Sequence, residues 1–245
     1  MRKLGIIIVL ALLSSHSFAQ FSDTVNYHAK VAATGNMNRT NTGTTSIFNN
    51  FVGFDINKKH VSLNSSAAYI YGRNPLQKTN DDFLAVMNAD FLRSVSKLYY
   101  WALASYEKSF SLKVDNRFQV GGGVGYTFVK EPNSLVILSN GLLFETADLS
   151  QKDQYGRTAY QTLRNSLRLK FRFAFKDNLI TIDGTEFLQN SLSEGKDYIL
   201  KLNTNVSVRL YRWLSLTATF NYNRMNVIGT ENLFLSYGLM FDKYF

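Results

Sequence analysis

Cysteine is absent from the 245 residues, proline occurs twice and histidine three times. Without cysteine there is no disulfide scaffold, thiolate metal site, thiol nucleophile or lipid-modified N-terminal cysteine. Three histidines leave little material for metal or acid–base chemistry. After the first twenty residues no stretch approaches the ~20 apolar residues of a spanning helix; the densest runs from Leu98 to Ala104. What is present is 45% hydrophobic and 14% aromatic residues, with a net charge of +9. That aromatic content excludes a disordered chain. The length suits one or two ordinary domains, or one large all-β barrel.

The first segment reads as a secretory signal covering 1–19. Arg2 and Lys3 precede an apolar run from Leu4 to Leu13, and Ser17-Phe18-Ala19 forms a small-residue cleavage site between Ala19 and Gln20. The run is too short for a stable spanning anchor, although retention as an uncleaved anchor is the alternative. Cleavage would remove two basic residues, taking the charge from +9 to +7. Residues 20–245 are expected to form a single domain.

That domain is patterned in twos. From Leu163 to Phe175 one face carries Leu163, Leu167, Leu169, Phe171, Phe173 and Phe175, and the other Arg164, Ser166, Arg168, Lys170 and Arg172. Thirteen residues at ~3.3 Å each reach ~43 Å, about one hydrocarbon thickness when tilted near 45°. A strand with an apolar and a cationic face fits a wall between lipid and water. The runs 61–71, 117–129, 198–210 and 214–222 repeat the design. With weaker runs included, the strands fall near 22–34, 45–56, 61–72, 82–93, 98–108, 117–129, 134–145, 159–175, 179–188, 198–210, 214–223 and 232–245. The expectation is a transmembrane antiparallel up-and-down β-barrel of about twelve strands, with ten as the alternative because 134–145 and 179–188 are ambiguous. Short turns at 57–60, 94–97, 130–133, 176–178 and 211–213 alternate with longer connections at 35–44, 73–81, 109–116, 146–158, 189–197 and 224–231. Short periplasmic turns, long outer loops and an even strand number place both termini in the periplasm of a Gram-negative bacterium. At the C-terminus Leu233, Leu235, Tyr237, Leu239, Phe241 and Phe245 share one face, with Gly238 between them. This is similar to the terminal strand recognised by the barrel assembly machinery, so Tyr237, Gly238, Leu239, Phe241 and Phe245 are the candidate assembly signal. A secreted β-sandwich is the competing fold, but its inner faces should be apolar.

The stretch Ala33-Thr34-Gly35-Asn36-Met37-Asn38-Arg39-Thr40 resembles the opening of the YdiY-like salt-induced outer-membrane proteins. Tyr99 to Glu107, then Arg117 to Tyr126, resemble that family's aromatic strand followed by a glycine-rich one. The resemblance covers the chain after the signal and implies an outer-membrane barrel of unestablished role.

Catalytic motifs do not survive scrutiny. Gly121-Gly122-Gly123-Val124-Gly125 lacks the last glycine of a dinucleotide loop, because Tyr126 stands there, and no helix follows. Its glycines instead relieve crowding on the lumen face, leaving space for a ligand or for a neighbouring side chain. His28 and His60 have no G-x-S-x-G or H-E-x-x-H context. A non-enzyme without cofactor or metal is therefore expected, an outer-membrane hydrolase being the remote alternative. The candidate site is the basic lumen: Lys30, Arg117, Arg164, Arg168, Lys170, Arg172, Lys201 and Arg209, with Asp55, Asp90 and Asp183 as counter-charges. Cations lining water concentrate anions, so the expectation is a narrow anion-preferring passage for small solutes. The alternative is a closed structural or interaction barrel acting through its loops. Expected partners are membrane lipid, lipopolysaccharide near Arg73, Lys78, Arg157 and Arg224, and the assembly machinery. No exposed basic helix suggests nucleic acid.

Overall fold

The computed structural model describes residues 26–41, 43–92 and 96–244. The signal segment with Ala19 and Gln20, and the terminal Phe245, lie outside the described residues. All regular structure there is strand: β1 (Tyr27–Thr40), β2 (Gly43–Asn57), β3 (Val61–Arg73), β4 (Lys78–Phe91), β5 (Leu98–Ser109), β6 (Val114–Glu131), β7 (Ser134–Leu149), β8 (Ala159–Phe175), β9 (Ile180–Ser191), β10 (Tyr198–Tyr211), β11 (Leu214–Met225) and β12 (Thr230–Tyr244). Each pairs antiparallel with its chain neighbours. β1 closes on β12 from His28 opposite Tyr244 to Thr34 opposite Gly238. Closure leaves no unpaired sheet edge, which a hydrocarbon environment requires. The two segments that were ambiguous in sequence are both full strands, so the count is twelve rather than ten.

The outward parity carries Tyr71, Phe83 and Phe118 toward one end, and Tyr100, Tyr126, Phe128 and Phe241 toward the other, all exposed. Trp213 stacks on Phe241 with centroids 5.7 Å apart, thickening the second girdle. From Phe118 to Phe128 along β6 is ~33 Å, or ~25 Å at a 40° tilt, the height of a membrane barrel's apolar band. This belt gives the closed wall a lipid-facing exterior. Tyr237, Leu239 and Phe241 belong to it, whereas Gly238 lies beside Thr34 with no room for a side chain.

The connections differ from expectation. The strand β1 runs on to Thr40, so the supposed loop 35–44 shrinks to residues 41–42. The connections 74–77, 110–113 and 226–229 have four residues each, and only 150–158 and 192–197 are longer at that end. At the other end 92–97 is longer than expected. Asn, Thr and Gly runs read as loops by composition, yet a ladder satisfies their backbone N–H and C=O groups as well as water does. We call the end bearing 150–158 the loop end, and the end where β1 begins and β12 finishes the terminal end.

Candidate functional site

The interior is divided lengthwise. On the β5–β9 side the lumen is packed solid. Tyr99, Trp101, Leu103, Ile137 and Leu143 form a buried cluster against which Val86, Leu135 and Phe187 pack. The glycine-rich segment makes this possible. A Cβ on Gly125 would lie 2.3 Å from the Tyr99 ring, and one on Gly141 would lie 2.5 Å from the Trp101 indole. Neighbouring rings, not a ligand, occupy the space beside these glycines. Arg168 stacks over Trp101 at 5.0 Å, donates to Ser139 Oγ (2.9 Å), Asn88 Oδ1 (2.9 Å) and Tyr99 Oη (3.2 Å), and lies 3.7 Å from Asp90.

Toward the loop end the packed half becomes ionic and then apolar. Arg164 is fully buried and donates to Glu145 (2.8 Å) and to both Asp197 oxygens (2.9 and 3.0 Å), while Tyr160 also donates to Glu145 (2.7 Å). Arg117 is paired with Glu107 and donates to the Met225 sulfur at 2.9 Å; Lys201 reaches the same Glu107 at 2.6 Å. Above them Leu112, Val114, Leu149, Tyr160, Ile199 and Met225 close a second apolar cluster. The 110–113 connection crosses the mouth to join it: Thr230 Oγ1 donates to Leu112 O (3.2 Å) and Asn232 to Ser111 Oγ (3.0 Å). The 150–158 loop is tied down by Gln154 N on Val227 O (2.9 Å) and by Asp153, which accepts from the Tyr155 and Arg157 N–H groups.

The other half is hollow. A cavity of about 460 Å³ runs from Asp82, Ser111 and Asn223 beside the bridge down to Lys30, Lys170 and Asp183. Asn203, Asn205, Thr219 and Asn221 line one flank; Phe51, Ile70, Leu84 and Val86 line the other. Below it, at the terminal end, His28 lies 3.3 Å from Asp55 and 4.0 Å from Asp242, and Lys30 lies 3.7 Å from Asp55.

The eight cations singled out in sequence thus lie in different settings. Arg117 and Arg164 are buried in ion pairs away from the cavity; Lys30, Arg168, Lys170 and Lys201 line it; Arg172 donates to Asn178 (2.9 Å) in the 176–179 turn, where Lys176, Asp177 and Asn178 all have positive φ; and Arg209 is half-buried near the terminal end. The same parity turns Asp55, Asp82, Asp90, Glu107, Glu145, Asp183 and Asp242 inward, so the interior is close to charge balance. Glu107 and Glu145 were not singled out in sequence, although their alternate spacing with lumen-facing neighbours marks them. The lumen-facing rings of Tyr99 and Trp101 lie in a run so uniformly apolar that its two faces cannot be told apart by parity.

A further residue breaks the outward pattern. Glu186 points out from the middle of β9, and is the one acidic or basic side chain at mid-height of the belt among the described residues. Thr204 Oγ1 donates to it at 2.9 Å and Asn203 N at 3.1 Å.

Among the described residues no group of three or more His, Cys, Asp and Glu side chains could hold a metal ion. Known structures similar to this one are outer-membrane barrels. The translocator domain of the autotransporter NalP from Neisseria meningitidis has a TM-score of 0.53 at 12% identity, with 98% of this chain and 94% of that one covered. The COG4313 outer membrane channel from Pseudomonas putida F1 has a TM-score of 0.51 at 10% identity, covering 95% of this chain and 100% of the other. At such identities the likeness is one of fold. No curated protein matches the chain. A family model described as "Protein of unknown function, DUF481" matches residues 31–232, most of the barrel, and the chain belongs to that family.

Proposed function

We propose that the protein is an outer-membrane barrel with a narrow, off-centre passage for small polar solutes and a modest preference for anions. The observation that supports this best is the polar cavity running beside the packed half of the lumen. Its lining carries Lys30, Lys108, Arg168, Lys170 and Lys201 against Asp82, Glu107 and Asp183, a smaller cationic excess than the strand pattern alone suggests. Charges in a narrow aqueous bore act over a short screening length and shift selectivity without setting it absolutely. On this reading the loop end faces outward, both termini face the periplasm, and β12 serves the assembly machinery. Lys78 and Lys113, which flank the Phe110 ring at 4.8 and 4.6 Å, are suited to lipopolysaccharide phosphates.

The test is the conductance and salt-gradient reversal potential of folded protein in a planar bilayer. Wild type should show stable steps with weak anion preference, and Lys30→Ser with Lys170→Ser should remove that preference. A barrel shown to be folded by heat-modifiable migration but giving no steps would overturn the passage. The second reading, a closed structural or interaction barrel, is favoured by one observation: the 110–113 bridge and the apolar cluster beneath it close much of the loop-end mouth.

A further inference from the structure

We propose that the cavity prefers organic anions, a carboxylate on a compact apolar or aromatic body, over small hydrophilic anions and over neutral sugars. This inference rests on the passage described above and names its solute class. Lumens of membrane barrels are ordinarily polar throughout. Here Phe51, Ile70 and Leu84, on β2, β3 and β4, line the cavity while belonging to neither buried cluster. Their apolar surface therefore faces the cavity rather than a packed core, and it gains from being covered.

The charged anchor lies directly beneath. Gly53 follows Phe51 on the inward side of β2 and sits opposite Lys30 on β1. A Cβ at Gly53 would lie 3.1 Å from the Phe51 ring and 3.8 Å from Lys30 Cβ. The ring therefore leans over the glycine toward the lysine stem, so an aromatic ring and a lysine side chain share this level of the wall, with the ammonium group 3.7 Å from Asp55. From the opposite wall Lys170 lines the cavity with Asp183, which Arg172 faces across the β8–β9 pair, so cations from two sides meet at this level. Across the cavity Asn203, Asn205 and Asn221 form a polar row, Asn203 donating to Asn221 and Thr219 to Asn205, which leaves N–H groups of the amides for a polar edge. A solute with a carboxylate at one end and an apolar body satisfies both surfaces. Chloride uses only the cations, and a sugar only the amides.

Covering about 60 Å² of apolar surface is worth roughly a tenfold preference. The experiment uses chloride currents through the folded full chain in a planar bilayer, first alone and then with benzoate, acetate or glucose added. Benzoate should block at about tenfold lower concentration than acetate, and glucose should have no effect. Phe51→Ser should erase the difference between benzoate and acetate, each block being read as a fraction of that variant's own chloride current. Phe51→Leu, which keeps an apolar side chain, should retain most of it. Equal block by benzoate and acetate with chloride steps intact would overturn this selectivity and leave the passage standing. Block by glucose as strong as by benzoate would also overturn it. A folded barrel without chloride steps would overturn the passage itself and the selectivity with it.

Discussion

Arg164 sits fully buried between Glu145 and Asp197, with every carboxylate contact at hydrogen-bond distance. Removing one member of such a set strands the others without water. Arg164→Ala should lower unfolding stability by about 3–5 kcal/mol, measured by urea titration in lipid vesicles. Arg164→Met combined with Glu145→Gln and Asp197→Asn should recover at least half of that loss. A single variant as stable as wild type would mean that the pairs do not form. Asp153 makes a different case, in a loop outside the membrane. Burial pushes its carboxyl up, but the N–H groups of Arg157 and Tyr155 and the Arg157 guanidinium outweigh that and hold it below the usual range. A depressed carboxylate stabilises fully above its unfolded value of ~3.9 and loses that contribution as pH falls through the folded value. Hydrogen exchange at Tyr155 and Arg157 should therefore be protected above the unfolded value of ~3.9 and lose protection as the pH is lowered through the depressed folded value. In Asp153→Asn that pH dependence should vanish; an unchanged profile would contradict the assignment. The inward direction of Arg164, Arg168 and Lys170 was legible because their neighbours alternate without a break. Their pairing was not legible, since Asp197 comes from a loop and Glu145 from the next strand.

Among the elements, β6 and β7 depend on the missing side chains at Gly123 and Gly141. A Cβ on Gly141 would meet the Trp101 indole at 2.5 Å and the backbone of Gly122 at 2.3 Å. Gly141→Val should unseat Trp101 and with it the Arg168 stack, costing ~2 kcal/mol or more; a red-shifted, more quenchable tryptophan emission would report it. Emission identical to wild type would show that the ring is not seated there. The strand β9 supplies the opposite test. Its Glu186 faces the lipid belt, where a carboxylate is unfavourable and only partly relieved by Thr204 and Asn203. Glu186→Leu should leave the barrel as stable or about 1 kcal/mol more stable in vesicles, and marked destabilisation would show that the carboxylate is held by more than these bonds. Strand positions could be read from hydrophobic alternation because the lipid wall enforces it over ~10 residues. Strand ends could not, because beyond the belt the constraint lapses: β1 continues through Gly35, Asn36 and Asn38 in register with β2.

At the scale of the whole molecule, alternation tells which side chains point inward and is silent about what fills the interior. A pattern of period two registers parity within a strand, whereas the bridge from 110–113 joins β12, many strands away, and the rings lying on glycines reach one or two strands across the wall. The outcome is a barrel half core and half cavity. The chain has no cysteine, so single introduced thiols report their own environment. The most direct measurement is labelling of the folded, membrane-inserted barrel by a small charged thiol reagent at two inward positions. Asn205→Cys, on the cavity flank, should react rapidly and reduce the bilayer conductance once modified. Leu143→Cys, buried among Trp101 and Ile137, should resist the reagent for as long as the barrel stays folded. Equal reactivity at both positions would mean an evenly hydrated lumen, and no reaction at either would mean a filled one; either result would contradict the divided interior.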